Sequence, residues 1–273
     1  MATQTGVLKF TGRLGNLIGY RVGGEYYLRS MPQRVRQSPR SKISGRCFGK
    51  ASKLGAAIRH ALEGIMDTAS ESTLGNRLNR ALLGVLRQDD LHGMKRFIPR
   101  HFRALEGFCF TPHAELGRLL TVAPVVTRDG NGNIEVAVPA MEALNGHPQA
   151  THISIKALAV CIRPGYTAAT AEQSEPVLLE MGKSSEAFTL TVPASPDAVS
   201  CVILEVTSLQ EEHGRMYMLR NRKYAAAEVI AVLPPMVEHR GAVTYSRDEA
   251  QARRYRQPMP YLPGMIIHSP QRE

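Results

Sequence analysis

Site chemistry needs nucleophiles, acids, bases or metal ligands at workable spacing, and nine histidines and four cysteines are where this chain would show them. No H-E-x-x-H pair occurs, and Cys47, Cys109, Cys161 and Cys201 stand far apart with no C-x-x-C among them. No zinc-like ligand set follows, and the thiols read as small buried apolar groups of a reducing compartment. His147 and His152 fall either side of an expected turn, while His60 and His101 sit amid arginines; no metal is expected at either pair. Gly12, Gly15 and Gly19 match neither G-x-G-x-x-G nor G-x-x-x-x-G-K-[ST], so they read as turn glycines and not as a phosphate loop. There is no G-x-S-x-G and no catalytic cysteine motif, and the carboxylates are scattered. The expectation is a protein without catalytic residues, cofactor or small-molecule substrate.

Charge is the unusual feature. The formal net charge of +10 is unevenly spread: residues 1–104 carry a net +13, residues 105–235 a net −5 and the remainder +2. From Arg29 to Arg59 there is no acid at all. Arg29, Arg34, Arg36, Arg40, Lys42, Arg46, Lys50 and Lys53 therefore read as a surface for anions, and two anions suit it. One is nucleic-acid phosphate, though no DNA- or RNA-binding motif is present and aromatics are few. The other is the acidic half of a neighbouring copy, a heterologous contact that builds rings or filaments.

The elements that would position these groups follow from periodicity. Val7–Phe10, Leu17–Val22 and Glu25–Leu28 read as strands of a small meander, with residues 11–16 and Gly23-Gly24 as connections. Alone, such a meander is marginal, so Leu17, Ile18, Tyr20 and Tyr26 are expected to bury against another subunit. A basic linker with Pro32 and Pro39 runs from Met31 to Lys42. Apolar residues at steps of three and four from Ile43 to Ile65, and again from Leu74 to Val85, predict two helices paired antiparallel, with Pro99 breaking the amphipathic stretch that follows. From Leu105 the pattern becomes strands: 119–126, 134–138, 152–162, 177–181, 187–192, 200–208, 215–219 and 226–233, separated by turn residues. The expected fold is thus α+β: a β-meander (1–40), a basic helical hairpin (41–104), an antiparallel immunoglobulin-like β-sandwich (105–235), and a Pro-containing basic tail (236–273).

Gly12-Arg13-Leu14-Gly15-Asn16-Leu17-Ile18-Gly19-Tyr20-Arg21, followed by Leu28-Arg29-Ser30-Met31-Pro32, resembles the opening of an uncharacterised Bacteroidetes family with a G-K-x-G-N-x-V-G-Y motif. Ser38-Pro39-Arg40-Ser41 and Arg46-Cys47-Phe48 sit where that family tends to have N-P-R-T and R-x-K-F. Later motifs, Leu105–Phe110, Ala150-Thr151-His152 and Met218-Leu219-Arg220-Asn221, extend the resemblance over most of residues 5–233; Arg13 and Leu17 depart from it. It implies an architecture and supplies no catalytic residue.

No stretch of eighteen apolar residues exists, so no membrane insertion is expected. No charged segment leads into an apolar run after Met1, which points to a cytoplasmic protein, with signal-independent release as the other route. The function expected is a non-catalytic structural subunit that self-assembles as a homo-oligomer; the alternative is nucleic-acid binding through residues 29–59.

Overall fold

A computed structural model describes residues 2–6, 9–31, 37–68, 71–90, 93–142 and 144–236. The chain divides into two units, Met1–Ser44 and Gly45–Glu273.

The first unit is an antiparallel sheet of β1 (Ala2–Thr3), β2 (Gly12–Leu14), β3 (Leu17–Val22) and β4 (Glu25–Ser30), in the order β1-β4-β3-β2. Val22 pairs with Glu25, leaving a two-residue loop in which Gly23 and Gly24 both adopt positive φ, +58° and +94°. That is the primed turn matching strand twist. The expected strand at Val7–Phe10 is not formed at Lys9 and Phe10; Val7 and Leu8 lie outside the described residues. The physical reason is a side chain. The Gln4 amide accepts from Phe10 N–H (3.0 Å) and donates to the carbonyls of Phe10 and Tyr27 (both 3.0 Å), so residue 10 satisfies its backbone without a ladder. Phe10 then crosses over Gly19, where a Cβ would sit 2.5 Å from the Phe10 carbonyl oxygen and 2.9 Å from its ring. The freed ladder position goes to Gly12–Leu14, expected as a connection and observed as β2.

Helix α1 (Pro39–Leu62) begins two residues before its expected start. Ser38 Oγ accepts the Ser41 N–H at 3.1 Å, an N-cap followed by proline at the first helical position. Ala51, Leu54, Ile58 and Leu62 are buried, at steps of three and four. In α2 (Leu74–Arg87) the buried stripe is Leu74, Leu78, Leu82, Val85 and Leu86. Gly55 faces Asn79 and Leu82 while Arg59 faces Gly75, so the two helices run antiparallel, as the periodicity predicts. Pro99 opens a 3₁₀ turn, Pro99–Leu105, and does not merely end a helix; the turn delivers Phe102 and Leu105 into the core.

The strands that follow are β5 (Val125–Arg128), β6 (Ile134–Val138), β7 (His152–Ile162), β8 (Ala169–Gln173), β9 (Val177–Glu180), β10 (Phe188–Val192), β11 (Val199–Glu212), β12 (Arg215–Met218) and β13 (Ala225–Leu233). All pairings are antiparallel. One sheet is β10-β6-β5; the other runs β12-β11-β7-β8, with β13 also on β11 and β9 also on β7. Alternation along the central strands shows what each face covers. Ile153, Ile155, Ala157 and Ala159 of β7, with Val202, Leu204 and Val206 of β11, share a core with Ile134, Val136 and Leu190 of the small sheet. Leu158, Val160 and Ile162, with Val199, Cys201 and Ile203, share the other core with both helices. The large sheet is therefore the middle of three layers, and β7 and β11 read as nearly unbroken apolar runs because both faces are covered.

The expected strand 119–126 is corrected at its start. Leu116–Leu119 is one helical turn (α3), its Leu116 and Leu119 buried, and pairing begins only at Val125, after Pro124, whose missing N–H cannot serve a ladder. The expected tail from 237 onward, and the linker at 32–36, lie outside the described residues.

Candidate functional site

The side chains expected to make an assembly contact divide between the two faces of the N-terminal sheet. Strand alternation and the register Ile18↔Arg29, Tyr20↔Tyr27 put Ile18, Tyr20, Tyr27 and Arg29 on one face. There Tyr20 and Tyr27 stack with centroids 5.8 Å apart, and the Arg29 guanidinium lies 5.7 Å from the Tyr20 ring. Leu17 and Tyr26 belong to the opposite face, with Arg21 and Lys9 at 5.4 and 5.5 Å from the Tyr26 ring. No single flat partner meets all four residues. Among the basic residues, Arg29, Arg40, Lys42, Arg46 and Lys53 are exposed. Lys50 is half-buried and donates to the Lys95 carbonyl at 3.0 Å. Arg34 and Arg36 lie outside the described residues.

A second polar centre lies within the larger unit, where sequence reading placed nothing. Lys156 and Glu205 are cross-strand partners on the helix-facing side of the large sheet. Lys156 Nζ reaches Asp67 Oδ2 (2.6 Å), the Ile65 carbonyl (2.6 Å), Gln173 Oε1 (3.2 Å) and Glu205 Oε2 (3.3 Å). The Glu205 carboxylate accepts the backbone N–H groups of Asp67 (3.1 Å) and Thr68 (2.6 Å). This network fastens the segment after α1 to the sheet.

Beside it opens a cleft of about 620 Å³ between that segment, residues 111–113 and the β12–β13 connection. Its edges are fixed by backbone. Thr111 Oγ1 accepts Ala227 N–H at 3.0 Å, and Asn221 Oδ1 accepts Lys223 N–H at 3.1 Å, capping the 3₁₀ turn Arg222–Tyr224. Glu71, largely buried, holds His113 Nε2 at 2.8 Å and Arg222 Nη1 at 3.5 Å. A neighbouring hollow continues past His113 to His147, whose ring meets Tyr224 edge-on. The available signal was Arg220-Asn221-Arg222-Lys223, a cationic cluster inside an otherwise acidic half.

Among the described residues no group of three or more His, Cys, Asp or Glu side chains is disposed to hold a metal ion. Burial pushes the Cys201 thiol up to about 12, and burial followed by the Glu228 carboxylate pushes Cys109 up to about 11. A thiol with a pKa near 12 is thiolate in only about one part in ten thousand at pH 8. Alkylation of the native protein at that pH is accordingly expected to spare Cys109 and Cys201, and half-buried Cys47 is expected to react ahead of Cys161, which is buried from the reagent. Peptide mass spectrometry after a short iodoacetamide exposure reads this out, and early modification of Cys201 would contradict it.

No helix of the described residues is long and apolar enough to cross a membrane. No family model, curated protein or solved structure matches this chain.

Proposed function

We propose that the protein is a non-catalytic structural subunit that joins copies of itself through its N-terminal sheet. One observation carries the reading: among the described residues of Met1–Ser44, only Gln4 and Gly19 are buried. Leu14, Leu17 and Val22 are 61%, 42% and 58% exposed on a four-stranded sheet. So little core cannot hold a sheet of this size, and burial against another molecule supplies what is missing.

The occupant is a second copy. Met1–Ser44 carries eight basic residues and a single acid, Glu25. The β8–β9 edge of the large sheet carries exposed Glu172, Glu175 and Glu180, with Leu178 48% exposed, and among the described residues pairs only inward with β7. A basic sheet with apolar side chains meeting an acidic strand edge is complementary in charge and backbone, and is head-to-tail. Charge orients the encounter, and burial of Ile18 and Tyr20 supplies affinity. Ile18→Asp with Tyr20→Asp, both half-buried positions on one face, is expected to reduce the light-scattering mass from a multiple of 30.0 kDa to that value. An unchanged multimer would remove the face from the proposal.

Nucleic acid remains the second reading, favoured by the stacked Tyr20 and Tyr27 rings with the Arg29 guanidinium over Tyr20, the elements of a stacking platform on one face. It leaves Val22, 58% exposed on the same face as Ile18 and Tyr20, without an apolar partner, which is why assembly ranks first. Retention on single-stranded DNA that falls steeply with salt, with a slope flattened by R34A/R36A/R40A, would reverse that order.

A further inference from the structure

The cleft beside α2 offers chemistry that assembly does not use. We propose that it binds a small phosphorylated ligand, with Arg220 as the anchoring cation and Lys223, which lines the adjoining hollow together with Arg220, as an outer one.

Three features of the cleft converge on an anion. The first is unspent positive charge. Glu71 is engaged by His113 and Arg222, and Asp67 by Lys156 at 2.6 Å, whereas Arg220 on the cleft wall and Lys223 in the adjoining hollow have no ion pair among the described residues. The second is an unsatisfied hydroxyl. Thr68 lines the cleft, is 6% exposed, and its Oγ1 has no hydrogen-bond partner among the described residues. A buried hydroxyl left alone is costly, and Thr68 carries this one at the cleft wall. The third is preorganisation. The Asn221 cap fixes the Arg220–Lys223 backbone, and the Glu205 carboxylate fixes Thr68 through its amide, so little ordering remains to be done on binding.

The class of ligand follows from size and lining. Guanidinium groups donate in a fork suited to phosphate, and Arg220 and Arg222 lie two residues apart with Lys223 beside them. Met66, Met218 and Leu219 give the cleft an apolar wall for the rest of such a molecule. A volume of about 620 Å³ lies within the range of small-molecule sites. The charges and wall come from three stretches of one unit, so the site needs no second copy and stands apart from the assembly reading.

Calorimetric titration of the full chain with sodium pyrophosphate tests this, at constant ionic strength. The expected result is saturable binding near one site per chain, weakened at least tenfold in R220A/K223A. Both positions are exposed, so the variant is expected to melt as the parent does. R13A/R21A, altered only on the N-terminal sheet, is expected to bind as the parent does. Absence of saturable binding up to about 10 mM pyrophosphate overturns the site. So does an equal loss in R13A/R21A, which would mean general attraction to positive charge.

Discussion

Lys156→Met is expected to lower the unfolding free energy by about 3–5 kcal/mol, the usual consequence of removing one partner of a buried ion pair. The Lys156 and Glu205 side chains are 7% and 1% exposed, and removal of the ammonium leaves Glu205 charged in the core with two backbone N–H groups for company among the described residues. Asp67, at 44% exposure, can turn to water and suffers less. Adding Glu205→Gln to the first change removes the stranded charge while keeping one amide acceptor, so the double variant is expected to recover at least half of the loss. Urea unfolding reads both effects as shifts in midpoint at unchanged slope. A cost below about 1 kcal/mol for Lys156→Met would mean that water reaches Glu205 and that the network is not a closed fastening.

Gly19→Ala is expected to disrupt the N-terminal sheet by adding a single methyl group. The new Cβ would lie 2.5 Å from a backbone oxygen of Phe10 and 2.9 Å from two of its ring carbons, and no rotamer change of Phe10 moves its carbonyl. The crossing segment must lift away, taking with it the two hydrogen bonds that the Gln4 amide makes to Phe10. Overpacking of this kind costs about 1–3 kcal/mol, a large share of what so small a sheet can hold. Faster tryptic cleavage within residues 1–44 and at least a tenfold weaker self-association are the expected readouts. Parent-like cleavage and association would mean that Phe10 does not pack over Gly19.

Much of the fold was legible because burial writes itself into composition. His152–Ile162 and Ser200–Ser208 stood out as apolar runs, and both proved to be strands covered on both sides. Ala169–Gln173, with the sequence Ala-Thr-Ala-Glu-Gln, carried no such mark, since an edge strand held by pairing to β7 needs little apolar content. Leu119 and Leu120 were apolar enough for a strand, yet their burial follows a helical turn, a choice made by tertiary packing. The face division of Ile18 and Tyr20 from Leu17 and Tyr26 follows from strand alternation and was available in principle. Lys156 and Glu205 were visible too, as lone opposite charges inside two apolar strands, a pattern that asks for mutual pairing. The cleft was not legible. Thr68, His113 and Arg220 come from segments far apart in sequence, and only the fold brings them together.

Sedimentation velocity of the intact chain tests most directly whether the N-terminal sheet completes itself on another copy, as proposed. Runs from low to high micromolar concentration, at low and at moderate salt, report the mass without labels or truncation. The expected result is a population heavier than the 30.0 kDa chain that grows with concentration and shrinks as salt screens the contact between the basic sheet and the acidic strand edge. A single species of 30.0 kDa at every concentration and salt would contradict it.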